Sequence, residues 1–164
     1  MKNKYSIRKA TVEDAATIFD LATNIWNAHY PSIISLKQIA YMLHTRYAVP
    51  VIKKSMLEGE RFFLLSDGDV CKAYASIEER ESDTFLHKFY VLVDQHRSGI
   101  GQELFSYILK NINSDKPIRL QVNRKNIKAI NFYFKHGFVI ENAQDFDIGN
   151  GFTMEDFVMV NFRK

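Results

Sequence analysis

The stretch with the clearest chemical content is Phe89-Tyr90-Val91-Leu92-Val93-Asp94-Gln95-His96-Arg97-Ser98-Gly99-Ile100-Gly101. An apolar, branched and aromatic run leads into a short polar loop, and the loop leads straight into a helical pattern. The chain holds seven glycines, and two of them sit here at G-x-G spacing. Glycine lets the backbone turn sharply and lets a ligand approach where a Cβ would stand. A helix start presents N–H groups that lack intrahelical acceptors, together with the positive end of the dipole. With Arg97 beside them, these features suit a phosphate or pyrophosphate. The plainer alternative is a tight turn entering a helix. Two other phosphate loops are excluded. No Gly-Lys-Ser/Thr of a Walker A loop occurs. A dinucleotide fingerprint needs a small residue where Leu104 stands and an acid after the next strand, which Ile118–Val122 lacks.

The elements around this loop follow from periodicity. Tyr5–Arg8 alternates as a short strand. Thr11-Val12-Glu13-Asp14 and Ser35-Leu36-Lys37-Gln38 have the form of capping boxes. They predict amphipathic helices over about 12–28, carrying Ile18, Leu21, Ala22 and Ile25, and from Ser35, carrying Ile39, Met42 and Leu43. Pro50 suits the first turn of a third short helix ending near Gly59. The period then changes. Arg61–Ser66, Val70–Glu78 and Thr84–Val93 read as strands, the first two joined by the turn Asp67-Gly68-Asp69. Ile100, Leu104, Phe105, Ile108, Leu109 and Ile112 form a helical stripe. Ile118–Val122 is a strand and Asn126–His136 a helix stopped by Gly137. Phe138–Glu141 and Phe157–Phe162 are the expected final strands, with Gly149-Asn150-Gly151 between them. This order implies an α/β fold, a mixed sheet covered by helices on both faces.

The loop resembles motif A of the GCN5-related N-acetyltransferase (GNAT) family, Gln/Arg-x-x-Gly-x-Gly/Ala. Asn126-Ile127-Lys128-Ala129-Ile130-Asn131-Phe132-Tyr133-Phe134-Lys135-His136-Gly137-Phe138 resembles the same family's Asn-x-x-Ala-x-x-x-Tyr-x-x-x-Gly-Phe. The capped N-terminal helices and the closing strand around Met154–Met159 fit as well, so the resemblance covers nearly the whole chain. His96 stands where the family has Gln or Arg, which leaves His96 and Arg97 as alternatives for the side chain facing the phosphates.

The resemblance implies a mostly antiparallel sheet of six to seven strands, flanked by helices and splayed at its central strands. It implies acetyl-CoA as cosubstrate. The pantetheine arm would pair with the backbone of Phe89, Tyr90 and Val91, and the amides of Arg97, Ser98, Gly99, Ile100, Gly101 and Gln102 would hold the pyrophosphate. Asn126 matches a cofactor-contacting position and also suits an N-cap. Tyr133 matches the general acid, a phenol that protonates the departing thiolate; it also suits plain packing against the sheet.

An amine acceptor is mostly protonated at neutral pH, so a base is needed. His87 shares side-chain parity with Phe89 and Val91, matches a histidine of some arylalkylamine acetyltransferases of the family, and carries an imidazole, a side chain suited to a base. It equally suits a strand histidine satisfied by a neighbour. Glu78 and Glu79 are the alternatives. Trp26, Tyr30 and Tyr41 are candidates for lining an acceptor pocket, or for core. His29, His44 and His136 have no metal spacing, and no metal site is expected.

Composition bounds the rest. The chain has 164 residues, 46% hydrophobic and 25% charged, the mix of one ordinary domain over 1–164. The formal charge of +3 suits an anionic small ligand and gives no ground for nucleic-acid binding. A single cysteine, Cys71, excludes an internal disulfide framework and reads as a small core residue. No apolar run is long enough for a membrane span, and the first residues lack a signal-peptide core. A cytoplasmic N-acetyltransferase is expected, acting by direct attack on a small-molecule amine such as a polyamine or amino compound, with room for a homodimer. The alternatives are a protein amine as acceptor, or a non-catalytic acyl-CoA-binding sensor of the same fold.

Overall fold

A computed structural model describes residues 4–112 and 115–163. The expected start of the chain therefore lies partly outside the described residues. The elements run β1 (Ser6–Lys9), α1 (Ala15–His29), α2 (Leu36–Arg46), α3 (Val49–Leu57), β2 (Arg61–Asp67), β3 (Val70–Glu79), β4 (Thr84–Val91), α4 (Ile100–Lys110), β5 (Ile118–Asn123), α5 (Ile127–Lys135), β6 (Val139–Gly149) and β7 (Phe152–Asn161). The sheet order is β1-β2-β3-β4-β5-β7-β6. The β4–β5 pair is parallel; β1–β2, β2–β3, β5–β7 and β6–β7 are antiparallel. This is the α/β fold expected, with seven strands.

The backbone divides into two compact units, Met1–Glu78 with Lys88–Ile112, and Glu79–His87 with Asn113–Lys164. In the first, β2 and β3 carry consecutive buried residues, Phe62–Leu65 and Ala73–Ile77, because both of their faces are covered. Ile18, Ala22, Ile25 and Trp26 of α1 and Ile100, Leu104 and Phe105 of α4 belong to the same core. In the second, Ile118, Leu120 and Val122 of β5, Ile130 and Tyr133 of α5, and Val158–Val160 of β7 are buried.

The helix starts differ in detail from their sequence signals. Ser35 caps α2 as expected, accepting from Gln38 N–H at 3.1 Å. At Thr11 the capping box forms with both of its bonds present. The Asp14 carboxylate accepts from Thr11 N–H at 2.8 Å, and the Thr11 hydroxyl donates to Glu13 at 2.6 Å. Val12–Asp14 is a 3-10 turn leading into α1. The largest departure is the last hairpin. β6 runs to Gly149, well past the expected Glu141, and β7 begins at Phe152 rather than Phe157. The added arm is mostly polar and exposed, so it carries no alternating apolar signal. Cross-strand pairing from Asn142↔Val158 to Gly149↔Phe152 holds it.

Candidate active site

Among the described residues β4 pairs with β5 over Thr84↔Ile118, Phe85↔Arg119 and Leu86↔Leu120. Beyond that register β4 continues through His87–Val91, while Gln121–Asn123 of β5 keep their pairing with β7. Side chains alternate along β4. Phe89 packs edge-on to Phe105 of α4 at 5.9 Å. Lys88 and Tyr90, on the opposite face, meet the rings of Tyr47 and Phe62, and of Trp26, Tyr47 and Tyr74, respectively.

After β4 the chain makes a 3-10 turn, Val93–Gln95, and reaches α4 through His96–Gly99. Arg97 adopts φ 69° and Gly99 φ 85°. The left-handed region is costly for arginine and natural for glycine. These two left-handed residues flank Ser98 just ahead of α4. Among the described residues, the N–H groups of Arg97, Gly99, Ile100 and Gly101 have no acceptor within the chain. Ser98 differs. Its N–H reaches Gln95 O at 3.3 Å and its hydroxyl donates to the same oxygen at 2.5 Å. A Cβ built on Gly99 meets nothing within 4 Å, so the space beside this residue is open. His96 turns back: its Nε2 lies 3.0 Å from Val91 O, tying the loop to the end of β4.

In the second unit, Asn126 caps α5 by accepting from Ala129 N–H at 3.3 Å and is buried. Tyr133 is buried, with its ring against Phe132 and Phe138. Burial pushes its phenol above the ordinary tyrosine value. Gly137 ends the helix with φ 82°. His87 is half-buried with its ring 4.8 Å from Phe85, on the β4 face away from Lys88 and Tyr90. Glu78 is half-buried and Glu79 exposed.

Of the pocket candidates, Trp26 and Tyr30 are buried and stacked at 4.0 Å, and Tyr41 is half-buried. His136 Nδ1 contacts Phe132 O at 2.7 Å, and His29 lies edge-on to His96 at 6.3 Å. Cys71 is half-buried with Sγ 3.3 Å from Ser66 Oγ. Among the described residues no group of three His, Cys, Asp or Glu is placed to hold a metal ion. None of the helices described is long and apolar enough to cross a membrane.

The structure adds residues that the sequence did not single out. Lys88 Nζ lies 2.7 Å from Glu60 Oε1, and the same oxygen accepts from Ser76. The ammonium also stands over the rings of Phe62 and Tyr47, at 5.2 and 5.7 Å. The hydroxyls of Tyr47 and Tyr90 are 3.2 Å apart. Asp156 of β7 is buried, with Oδ1 unpartnered among the described residues. A charged residue inside an apolar strand run is the signal that could have found Lys88 and Asp156.

Comparison with known proteins agrees with this frame. The acetyltransferase (GNAT) domain family matches residues 34–157. A spermidine N(1)-acetyltransferase of Thermoplasma acidophilum is 26% identical over 157 residues, covering 91% of this chain and 94% of its own. A crystal structure of the PaiA N-acetyltransferase from Thermoplasma acidophilum, in complex with coenzyme A, superposes with a TM-score of 0.82 at 21% identity. It covers 97% of this chain and 99% of that one. The ribosomal-protein-S18-alanine N-acetyltransferase of Escherichia coli superposes with a TM-score of 0.74 at 16% identity, over 96% of this chain and 92% of its own. The chain belongs to the GNAT acetyltransferase family. It is an acetyl-CoA-dependent N-acetyltransferase.

Proposed function

We propose that the chain transfers the acetyl group of acetyl-CoA to a primary amine of a small molecule, a polyamine or related amino compound, by direct attack in a ternary complex. The observation that carries this reading is the set of N–H groups at Arg97, Gly99, Ile100 and Gly101, which lack acceptors among the described residues. A helix N-terminus with such donors matches a diphosphate in charge and geometry. Ser98 and Gln102 complete the loop around it. The acetyl thioester supplies the activated acyl group. The backbone of Phe89, Tyr90 and Val91 holds the pantetheine arm as an added strand, consistent with the short β4–β5 register. An amide near Val91 polarises the thioester carbonyl.

Tyr133 gives its proton to the departing sulfur. Its raised affinity for that proton keeps it in the acid form at working pH. Asn126 contacts the cosubstrate while capping α5. His87 takes the amine's proton, with Glu78 or Glu79 in the same role if the imidazole is dispensable. The 26%-identical spermidine acetyltransferase supports a polyamine as acceptor. The sequence expectation of a cytoplasmic protein belongs to this reading.

The test is acetyl transfer from acetyl-CoA to a panel of polyamines, amino acids and peptides. Transfer to a small amine, at rates above those for peptides, is the expected result. Tight CoA binding with no transfer to any amine would instead mark a sensor, and preference for peptides a protein acetyltransferase.

A further inference from the structure

The β6–β7 hairpin carries Glu141, Asp145, Asp147, Glu155 and Asp156, and no Lys, Arg or His between Val139 and Asn161. Four of these acids are accounted for. Glu141 holds Arg119 through two bonds of 2.9 and 3.0 Å. Asp145 pairs with Arg124 at 2.5 Å, and Glu155 lies 3.9 Å from Lys125. Asp147 accepts from Gly149 N–H at 2.8 Å within its own turn. Asp156 is different. It is 5% exposed, and Oδ1 has no hydrogen-bond partner among the described residues.

The strand register places Asp156 opposite Asn123 on one side and Gln144 on the other, so the three side chains share a face. Asn123 ends β5 and turns inward, accepting from Lys125 N–H at 2.9 Å. Three residues on, Asn126 opens α5, the helix that carries Tyr133. The charged groups that act on Asp156 are Arg124, already paired with Asp145, and Asp145 itself. A buried carboxylate with no donor is expensive to keep. Here the neighbouring cations are committed elsewhere, which leaves the position suited to a positive charge that arrives from outside.

We infer that the Asp156 carboxylate binds an ammonium group of the amine acceptor, making the β5 end and the β7 strand part of the acceptor-binding surface. This inference rests on the reading of the chain as a small-amine acetyltransferase. It names the group that recognises the acceptor's charge. Burial, the leading cause, and Asp145 push this carboxyl up to about 6, against Arg124, so it is ionised at neutral pH and available to a cation.

The experiment is calorimetric titration of spermidine into the full-length protein saturated with CoA, for wild type, Asp156→Asn and Glu155→Gln, with thermal melting of each. The expected result is spermidine binding in wild type, at least tenfold weaker in D156N and within twofold in E155Q. D156N should also melt at the wild-type temperature or above, because it removes a buried charge that no donor among the described residues hydrogen-bonds at Oδ1. Equal binding in D156N and wild type, or no spermidine binding in wild type, overturns the inference, as does a D156N protein that melts well below wild type without losing binding. Acetyl transfer is scored separately. Asp156-dependent binding without transfer would uphold this inference while removing the catalytic reading.

Discussion

Lys88 Nζ lies 2.7 Å from Glu60 Oε1, with the side chains 12% and 11% exposed. The pair joins the residue just ahead of β2 to the residue just ahead of Phe89, and the shared carboxylate also accepts from Ser76 of β3. It anchors β4 where the proposed pantetheine contacts begin. Removing one member of a nearly buried pair strands the other, at a cost of about 3 kcal/mol. Lys88→Met should therefore lower urea-unfolding stability by about that amount. The double variant K88M/E60Q should recover much of the loss, because no bare charge is left inside. A K88M protein of wild-type stability would show that the pair is not functionally buried.

Gly99 tests the loop. At φ 85° an alanine suffers left-handed strain of about 1 kcal/mol, although its Cβ would meet no protein atom. Gly99→Ala should cost about that much stability. The larger effect should be on acetyl-CoA, because the new methyl group stands beside the amides assigned to the diphosphate. KM for acetyl-CoA should rise at least tenfold, with KM for the amine little changed. Steady-state kinetics with each substrate varied will separate the two.

Tyr133→Phe should lower kcat at least tenfold and leave both KM values within about twofold, the pattern of an interaction made in the transition state. Because burial raises the phenol's affinity for its proton, the wild-type rate should show no alkaline loss traceable to Tyr133 below about pH 10. Undiminished turnover in the phenylalanine variant would remove Tyr133 from the acid role.

Two carboxyls give opposite pH signatures. Arg8 donates to Asp14 through two bonds of 2.8 Å and holds its carboxyl down to about 2. The unfolded group titrates near 4, so the folded state gains stability above that pH and loses it as pH falls toward 2. Arg8 is largely exposed, which limits the contribution to about 1 kcal/mol. Asp156 runs the other way. Its folded form titrates at about 6, so between about 4 and 6 the folded state binds more protons than the unfolded one. Stability from this group falls as pH rises through that window and stays lost above it. D156N should flatten the decline between pH 4 and 6, and D14N should flatten the acid limb. Denaturant melts across pH 2–8 will show both.

The fold was largely legible because most of its elements announce themselves locally. The Ser35 cap, the Pro50 helix start, the Asp67-Gly68-Asp69 turn and the Gly137 stop each follow from one residue type with one backbone preference. The arm of β6 and β7 did not announce itself. Its side chains face water, so pairing to a neighbour rather than hydrophobic alternation makes it a strand. The glycine loop and the Asn126–Phe138 stretch were readable because backbone shape and capping constrain residue type there. Glu60 with Lys88, Tyr47 with Tyr90, and the unpartnered Asp156 depend on residues far apart in sequence. No local pattern encodes which charges a fold will bring together or leave alone.

Amide NMR during titration with CoA probes the central assignment at its atoms. With 15N-labelled protein, the largest chemical-shift changes should fall on Arg97, Gly99, Ile100 and Gly101, whose N–H groups would acquire diphosphate acceptors, and they should be much reduced with pantetheine, which lacks the diphosphate. Shifts centred elsewhere, or the same loop response to pantetheine, would contradict the account.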